Sequence, residues 1–543
     1  MKDAGIGIDL GSSSVRVGLF TLEDDLMVQC VKQKISYYYH GDSALWEYTQ
    51  STDEIMKVIE RCLHDLKIDE YNIKSCGVSA TCSMALFIKE HNHLEPFNTI
   101  SGSHRQNVIF WMDNSSKTEC KLLNNLCEKR LRDFMGGKFI PEMGIPKINR
   151  LINYLKSSDD LQNLSVVAMD LHRYLAYEIA KRFKWNFDRL LNTTNFNEIG
   201  HDGELSGWSS KFYIDTLKIP SNITIGPEPP LEDDFEYCKG IVASCIDCYS
   251  SWLSLCSPTP EESLFIVGGT STCYLYATTR MKTIPGVWGP FTDILDNSNT
   301  YAVYEGGQSC TGKLIEHLLQ THPASSSIAK DDWPLLLEKI EQEISAIEEQ
   351  TGRSIHFKTK HMFFYGDFQG NRTPYADPEM SGMTIGETTD VSFNNLILRY
   401  ICILEFLAFQ IKYMISIFNK AQGQDKITEI RICGSQAKNK RLLSLISLLH
   451  EGGTIKLPKT DVELSGVSGA FLLGKSALLN KSPLDLIQEK DDQKQVDIFE
   501  TPSSINQPLS MLLEAKYEIH LDMAKQQLIY REMINKIPEI SEH

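Results

Sequence analysis

The sequence predicts an α/β protein of two lobes, on three observations. Its 543 residues exceed what one compact core usually holds. A short turn of glycine and hydroxyl residues, set between two apolar alternations, occurs twice, about half a chain apart. Strand-like and helix-like periodicities are mixed in both halves, the signature of α/β construction.

The first of these turns lies in GIDLGSSSVRVGLF, residues 7–20. Residues 6–10 alternate toward burial, Gly11, Ser12, Ser13 and Ser14 supply the turn, and residues 15–20 return as a strand, so a β-hairpin is expected. An ordinary serine-rich hairpin accounts for the pattern as it stands. A phosphate cradle also accounts for it, because backbone N–H groups and hydroxyls in a tight turn surround an anion without bulky side chains in the way. On that reading Asp9 requires a divalent cation, since a carboxylate beside phosphate is repulsive unless Mg²⁺ lies between them. No lysine follows the glycine, which excludes a P-loop.

Helical spacing follows at 52–66, then a strand-like stretch at 74–88, then helices at 117–134 and 170–183. Pro258 and Pro260 in CSPTPEES suit a linker, which ends a first lobe of residues 1–257. The second glycine turn opens the next lobe, 258–485, as Gly268, Gly269, Thr270, Ser271 and Thr272 within LFIVGGTSTCYLYATT. Helices are expected at 308–319, 396–420 and 439–449, with an acidic, solvated surface helix between 325 and 352. Residues 486–543 read as a polar linker and a last helix at about 511–534.

Composition narrows the function. Asp plus Glu outnumber Lys plus Arg by 71 to 54, a net charge of −17, which argues against a nucleic-acid surface. Residues 396–418 are long enough to span a bilayer, but Arg399, Glu405 and Lys412 would each cost ~3 kcal/mol at membrane depth, so a buried helix and no membrane partner are expected. The opening residues do not have the charge and cleavage pattern of a leader, and a cytoplasmic location is expected. The 14 cysteines show no framework and read as reduced thiols. Cys245 and Cys248 have CxxC spacing, a redox pair or half a zinc site by spacing alone, but no second pair completes it.

Phosphoryl transfer needs phosphates held, charge neutralised and a base near the accepting hydroxyl. Asp247, in GIVASCIDCYSSWLSL between a strand-like stretch and a helix, is the candidate catalytic base. Capping that helix is the alternative role.

At this point the chain resembles the FGGY carbohydrate kinases, and among them the D-ribulokinase branch, through ordered motifs from about residue 4 to about residue 535. The hairpin at 7–20 resembles the family's first phosphate motif and GGTSTCYL its second, while IVASCIDCYSS is similar to the segment bearing the catalytic aspartate. GVWGPF, YEGGQSCTGKLIEHLL and GDFQGNRTPYADPEMSGMTIG resemble signatures of the second lobe, and ICGSQAKNKRLL the adenosine motif.

The resemblance implies an actin-like, ribonuclease-H-like fold with nucleotide and sugar in the interlobe cleft. It implies ATP and a small sugar as partners, with Mg²⁺ held by Asp9 through water. Phosphate contacts fall on Gly11, Ser12, Ser13, Ser14, Arg16, Gly269, Thr270, Ser271 and Thr272, and adenosine contacts on Gly307, Gly434, Ser435, Gln436 and Asn439. On the sugar side it implies Thr81, Cys82, Ser83, Trp111, Asp113 and Glu142, with Lys147 beside them. Ser79 stands where the branch usually shows Asp, Asn114 and Ser115 where it shows His and Arg, and Ser435 replaces a glycine of the adenosine motif. The expected activity is phosphorylation of a ketopentose, D-ribulose first. A kinase for another ketose or polyol, and an idle nucleotide-binding regulator, are the alternatives. Oligomeric state has no signature in the sequence.

Overall fold

The computed structural model describes all residues except 43–44, 91–92, 184, 188–204, 206, 227–237, 293, 297, 299, 424–425, 501–506 and 538–543. The chain forms two compact units. The first comprises residues 1–261, 275–305 and 458–496, and the second 262–274, 306–457 and 497–543.

The centre of the first unit is a six-stranded sheet in the order Trp185–Phe187, Cys238–Ile246, Tyr71–Ala80, Lys2–Leu10, Ser14–Thr21, Met27–Lys34. Its first four strands are parallel, and the last two continue antiparallel. Side chains along a strand alternate between faces, and GIGIDL uses that alternation fully. Ala4, Ile6, Ile8 and Leu10 join a core with helices Thr52–Asp65 and Leu171–Phe183. Gly5, Gly7 and Asp9 face the other way, toward helix Ser465–Leu479.

That helix lies close because glycines permit it. A Cβ on Gly7 would overlap the Val467 carbonyl, and one on Gly77 the Ala470 carbonyl. Gly469 of the helix is in the same relation to Ser250, on helix Asp247–Leu255. A second sheet in this unit runs Ile223–Ile225, Val166–Asp170, Met84–Glu90, Val108–Ile109, Leu45–Gln50, Tyr38–Asp42, with His93–Pro96 beside Met84–Glu90.

In the second unit, strand Ser263–Gly268 pairs in parallel with Glu429–Cys433, which pairs in parallel with residues 454–456. Helices Gly312–Thr321, Phe393–Gln422, Lys440–Leu449 and Gln507–Asn535 pack on one another in this unit. Among the described residues, Phe393–Gln422 is the one helix long and apolar enough to cross a membrane, and 78% of its most apolar window is buried in the protein. Its Glu405 accepts hydrogen bonds from His356 Nδ1 at 2.7 Å and Thr359 Oγ1 at 2.9 Å, and pairs with Lys516 of the C-terminal helix. A charge that would be costly in lipid is therefore part of a satisfied interior network.

Three expectations need correction. The lobe boundary expected at 257 falls four residues later, but segments 275–305 and 458–496 belong to the first unit, not the second. Proline and polarity mark linkers; they do not report where a returning helix finds a glycine face to pack on. Residues 117–134 form two helices, Lys117–Leu126 and Lys129–Phe134, because the chain turns extended at Cys127 and Glu128. Residue 485 is no boundary: a short helix, Pro483–Gln488, opened by a full Ser482–Asp485 capping box, runs through it, and the stretch expected as a polar linker carries helix Asp492–Gln495 and strand Val496–Ile498.

Candidate active site

The register of the first sheet sets four side-chain positions in one row. Cys245 is level with Ser79, Ser79 with Asp9, and Asp9 with Arg16. The first three lie at the C-terminal ends of parallel strands, where open α/β sheets place their ligands. Ser79 Oγ donates to Asp9 Oδ1 at 2.9 Å and Arg16 Nη1 donates to Asp9 Oδ2 at 3.2 Å. A Cβ on Gly466 would lie 2.6 Å from the Asp9 carboxylate, so glycine leaves the room that this acid occupies. Gly466 is in the first turn of helix Ser465–Leu479, whose N-terminal dipole favours the anion. Burial pushes the Asp9 carboxyl up, opposed by Arg16 and Ser79.

Asp247 follows two residues beyond Cys245 and is the first helical residue of Asp247–Leu255, after Ile246 as N-cap. Part of its surface stays open, yet protein surrounds it. Burial first, then the neighbouring Asp9 and Glu305 charges, raise its pKa to about 7, against backbone N–H donation from Cys248. A carboxylate poised there suits general-base work at neutral pH. Tyr249, two residues on, donates its hydroxyl to Glu305 at 2.9 Å. Burial, with Asp247 and Asp9 nearby, drives the Cys245 thiol well above its usual range. A thiol kept protonated is a poor nucleophile, which argues against the redox reading of the CxxC spacing.

The first turn is closed by a hydrogen bond from Gly11 N to Ser14 O at 3.0 Å, and Ile35 N donates to Ser13 O at 3.1 Å. Ser13 is exposed and Ser12 half-buried. Trp111, expected as a wall for sugar, donates its indole N–H to Ser12 Oγ at 2.9 Å. Its peptide N–H donates to Ser83 Oγ at 3.0 Å, and Ser83 in turn shares a hydroxyl hydrogen bond with Thr81 at 3.0 Å. Thr81 and Ser83 thus build the loop, while Cys82 between them is half-buried.

Asp113 Oδ2 accepts from Tyr48 N at 3.2 Å, and Oδ1 accepts from Ser115 N at 3.1 Å and Ser115 Oγ at 2.7 Å. Burial pushes its carboxyl up and the Lys147 charge opposes. Lys147 is buried, with Nζ donating to the carbonyls of Phe110 and Trp111 at 3.1 Å each. Glu47, Tyr48, Asp113, Ser115, Lys147 and Arg150 line a small cavity together with Ile100 and Ile109, and Glu47 pairs with Arg150. Sequence reasoning missed Glu47 and Arg150. Arg150 stands one helical turn after Lys147, a spacing that could have found it, whereas Glu47 carries no signal on its strand. Glu142 is half-buried just before helix Gly144–Leu155.

The second turn, in the other unit, gathers the residues expected at nucleotide. Gly269 N donates to Ser271 O at 2.8 Å, Thr311 N to Thr270 O at 2.9 Å and Gly312 N to Gly269 O at 3.0 Å. Thr272 and Thr311 share a hydroxyl hydrogen bond of 2.7 Å. Gly434 has φ +83°, and a Cβ there would sit 2.5 Å from Gly268 O. A Cβ on Gly268 would meet the Gln436 side chain at 3.0 Å, so the turn and the adenosine motif are neighbours. Ser435 is exposed in the same short 3₁₀ turn. Asn439 spends its side chain on the fold: Oδ1 caps helix Lys440–Leu449 and Nδ2 donates to Tyr400 at 3.0 Å. Gly307 packs on Arg372, with its N–H donating to Thr373 at 3.0 Å, and so supports the Arg372 segment.

A nucleotide with a divalent cation fits these donors. Asp9 and Asp247 are two carboxylates near enough to raise one pKa, a hard oxygen set that a divalent cation neutralises. A Cβ on Gly11 or Gly269 would meet nothing closer than 3.5 Å, which leaves both turns open to an anion.

Residues 264–477 match the model for the C-terminal domain of the FGGY family of carbohydrate kinases. The chain is 46% identical over 541 residues to Protein MPA43 of Saccharomyces cerevisiae, covering 98% of each. It is 27% identical over 572 residues to D-ribulokinase YDR109C of the same yeast, covering 93% of this chain and 77% of that one. A ligand-bound xylulose kinase from Lactobacillus acidophilus superposes with a TM-score of 0.68 at 15% identity, covering 96% of this chain and 98% of that one.

Proposed function

Because the chain belongs to the FGGY family of carbohydrate kinases, phosphotransferases with a sugar hydroxyl as acceptor, we propose that it transfers the γ-phosphate of ATP to a ketopentose, D-ribulose first, giving D-ribulose 5-phosphate. The observation that carries the chemistry is the row of Asp9, Ser79 and Cys245 with Asp247 two residues beyond, its pKa raised to about 7. The sugar is supported by the likeness to the yeast D-ribulokinase along most of the chain.

On this reading Asp247 accepts the proton of the attacking primary hydroxyl. The turn at Gly11 to Ser14, with Arg16, and the turn at Gly269 to Thr272 bind phosphate oxygens through N–H groups and hydroxyls. Mg²⁺, held by Asp9 through water, would neutralise phosphate charge. Gly434, Ser435 and Gln436 border adenosine. Asp113, Lys147, Glu47 and Arg150 offer acceptors and donors that match vicinal hydroxyls, and a cytoplasmic location fits cysteines scattered without a framework.

Phosphorylation of another ketose or of a polyol such as ribitol is the second reading. It is favoured by Ser79 and Ser115, whose hydroxyls are spent on Asp9 and Asp113. The test is ADP release from ATP across pentuloses, hexuloses and polyols. D-ribulose is expected to give the highest kcat/KM; a preference for a different sugar selects the second reading, and absence of turnover with all of them overturns both.

A further inference from the structure

Trp111 joins two places that a sugar kinase must coordinate, and nothing in its sequence context announces the link. Its indole N–H donates 2.9 Å to Ser12 Oγ in the first glycine turn. The ring is aimed because the peptide carrying it is fixed on both sides. Its N–H is held by Ser83 Oγ at 3.0 Å, and its carbonyl by Lys147 Nζ at 3.1 Å. The Phe110 carbonyl receives the same ammonium at 3.1 Å. Two residues on, Asp113 is tied to Tyr48 N and to Ser115. Lys147 and Asp113 are also walls of the small cavity lined by Glu47 and Arg150.

We propose that Trp111 is a positioning residue that couples the two substrates: a polyhydroxyl ligand seated against Asp113 and Lys147 steadies the 110–115 loop, and the indole N–H then sets the Ser12 hydroxyl for nucleotide phosphate. This rests on the reading above that the turn takes phosphate and the cavity takes sugar. The physical basis is ordinary linkage. A group held in place by the first ligand costs the second less ordering, and the coupling is equal in both directions. A single hydrogen bond in a half-buried site is enough, because the Ser12 rotor would otherwise lose its rotational freedom when phosphate binds.

The test measures dissociation constants for Mg·ADP by calorimetry, with and without saturating D-ribulose and the other ketoses of the screen. In the unaltered protein the sugar is expected to tighten ADP by about 5- to 150-fold, the usual span of coupling between sites. Trp111→Phe keeps the ring and removes the donor, and is expected to bring that factor down several-fold. Ser12→Ala is expected to do the same, and the double variant no more than either single one, since both delete one contact. A coupling factor unchanged in Trp111→Phe, or losses that add in the double variant, would overturn the role of Trp111.

A second measurement is read on the unaltered protein, with Trp111→Phe used only to assign the resonance. In unaltered protein labelled with ¹⁵N at the indoles of its 7 tryptophans, the resonance missing from Trp111→Phe is expected to shift on adding ketose alone and again on adding Mg·ADP. A resonance indifferent to both overturns the proposal. If instead no ketose or polyol binds at all, the functional reading falls and this inference falls with it.

Discussion

The two glycine turns look alike in sequence and differ in what surrounds them. The first is charged. Asp9 ends the strand that leads into it, Arg16 leaves it, and the two are paired at 3.2 Å. The second has neither. Its carbonyls and hydroxyls are engaged by Thr311, Gly312 and Thr272, and its backbone abuts Gly434 and Gln436. The first turn thus manages charge beside a buried carboxylate, and the second forms a neutral, rigid loop; on the proposed function the first serves the base and the second receives phosphate oxygens. A repeated motif need not serve a repeated purpose, because its neighbours set the chemistry.

The contrast between the turns breaks most sharply at Asp247, the acid beside the charged one. Asp247→Asn is expected to lower turnover by ~10²- to 10⁴-fold in an ADP-release assay while calorimetry finds nucleotide affinity nearly unchanged. Comparable turnover would leave the charged turn without its chemical purpose.

Next comes the rigid turn. Gly434→Ala puts a Cβ 2.5 Å from Gly268 O at a φ of +83°, and should cost ~1–3 kcal/mol or more in denaturant unfolding of the second unit. Nucleotide binding should weaken with it, whereas the Asp9–Arg16 side of the protein keeps its structure.

The pH dependence sharpens the electrostatic half. With Asp247 raised to about 7, the base is protonated below that value. The rate should therefore fall about tenfold per pH unit under pH 7 and level above it. Stability moves the other way: the folded carboxyl keeps its proton up to about 7, whereas the unfolded one releases it near 3.8. The folded state binds more protons across that interval, so stability declines as pH rises through it.

Two smaller effects separate the turns further. Ser79→Ala removes the 2.9 Å donor to buried Asp9 and should cost ~1–3 kcal/mol by chemical denaturation, since the lost partner leaves a charge less well satisfied. Thr311→Val cuts the 2.7 Å hydroxyl pair of the second turn, a neutral contact, for ~1 kcal/mol.

Much of the molecule is legible in its sequence because it is local. Both hairpins, the helices at 52–66, 396–420 and 439–449, and the position of Asp247 at a strand-to-helix junction follow from periodicity and turn chemistry over ten or twenty residues. Lys147 is not legible in this way: a lysine on an amphipathic helix looks like a surface charge, and its burial against the carbonyls of Phe110 and Trp111 depends on a loop 36 residues away. Glu47 escapes notice for the same reason. Asn439 lies in a motif that resembles a nucleotide contact, yet its side chain is committed to a helix cap and Tyr400.

Short-range pattern suffices to put Asp9, Asp247 and the glycine turns at the ends of strands, since hydrophobic alternation and turn residues act between near neighbours. Which segments share a unit, and which polar groups meet, is settled only when the chain packs. Residues 458–496 join the first unit because Gly7, Gly77, Gly466 and Gly469 let a helix lie within van der Waals reach of strand and helix backbones hundreds of residues away. Such close approach is set by shape across long sequence separations, and no short-range pattern encodes it.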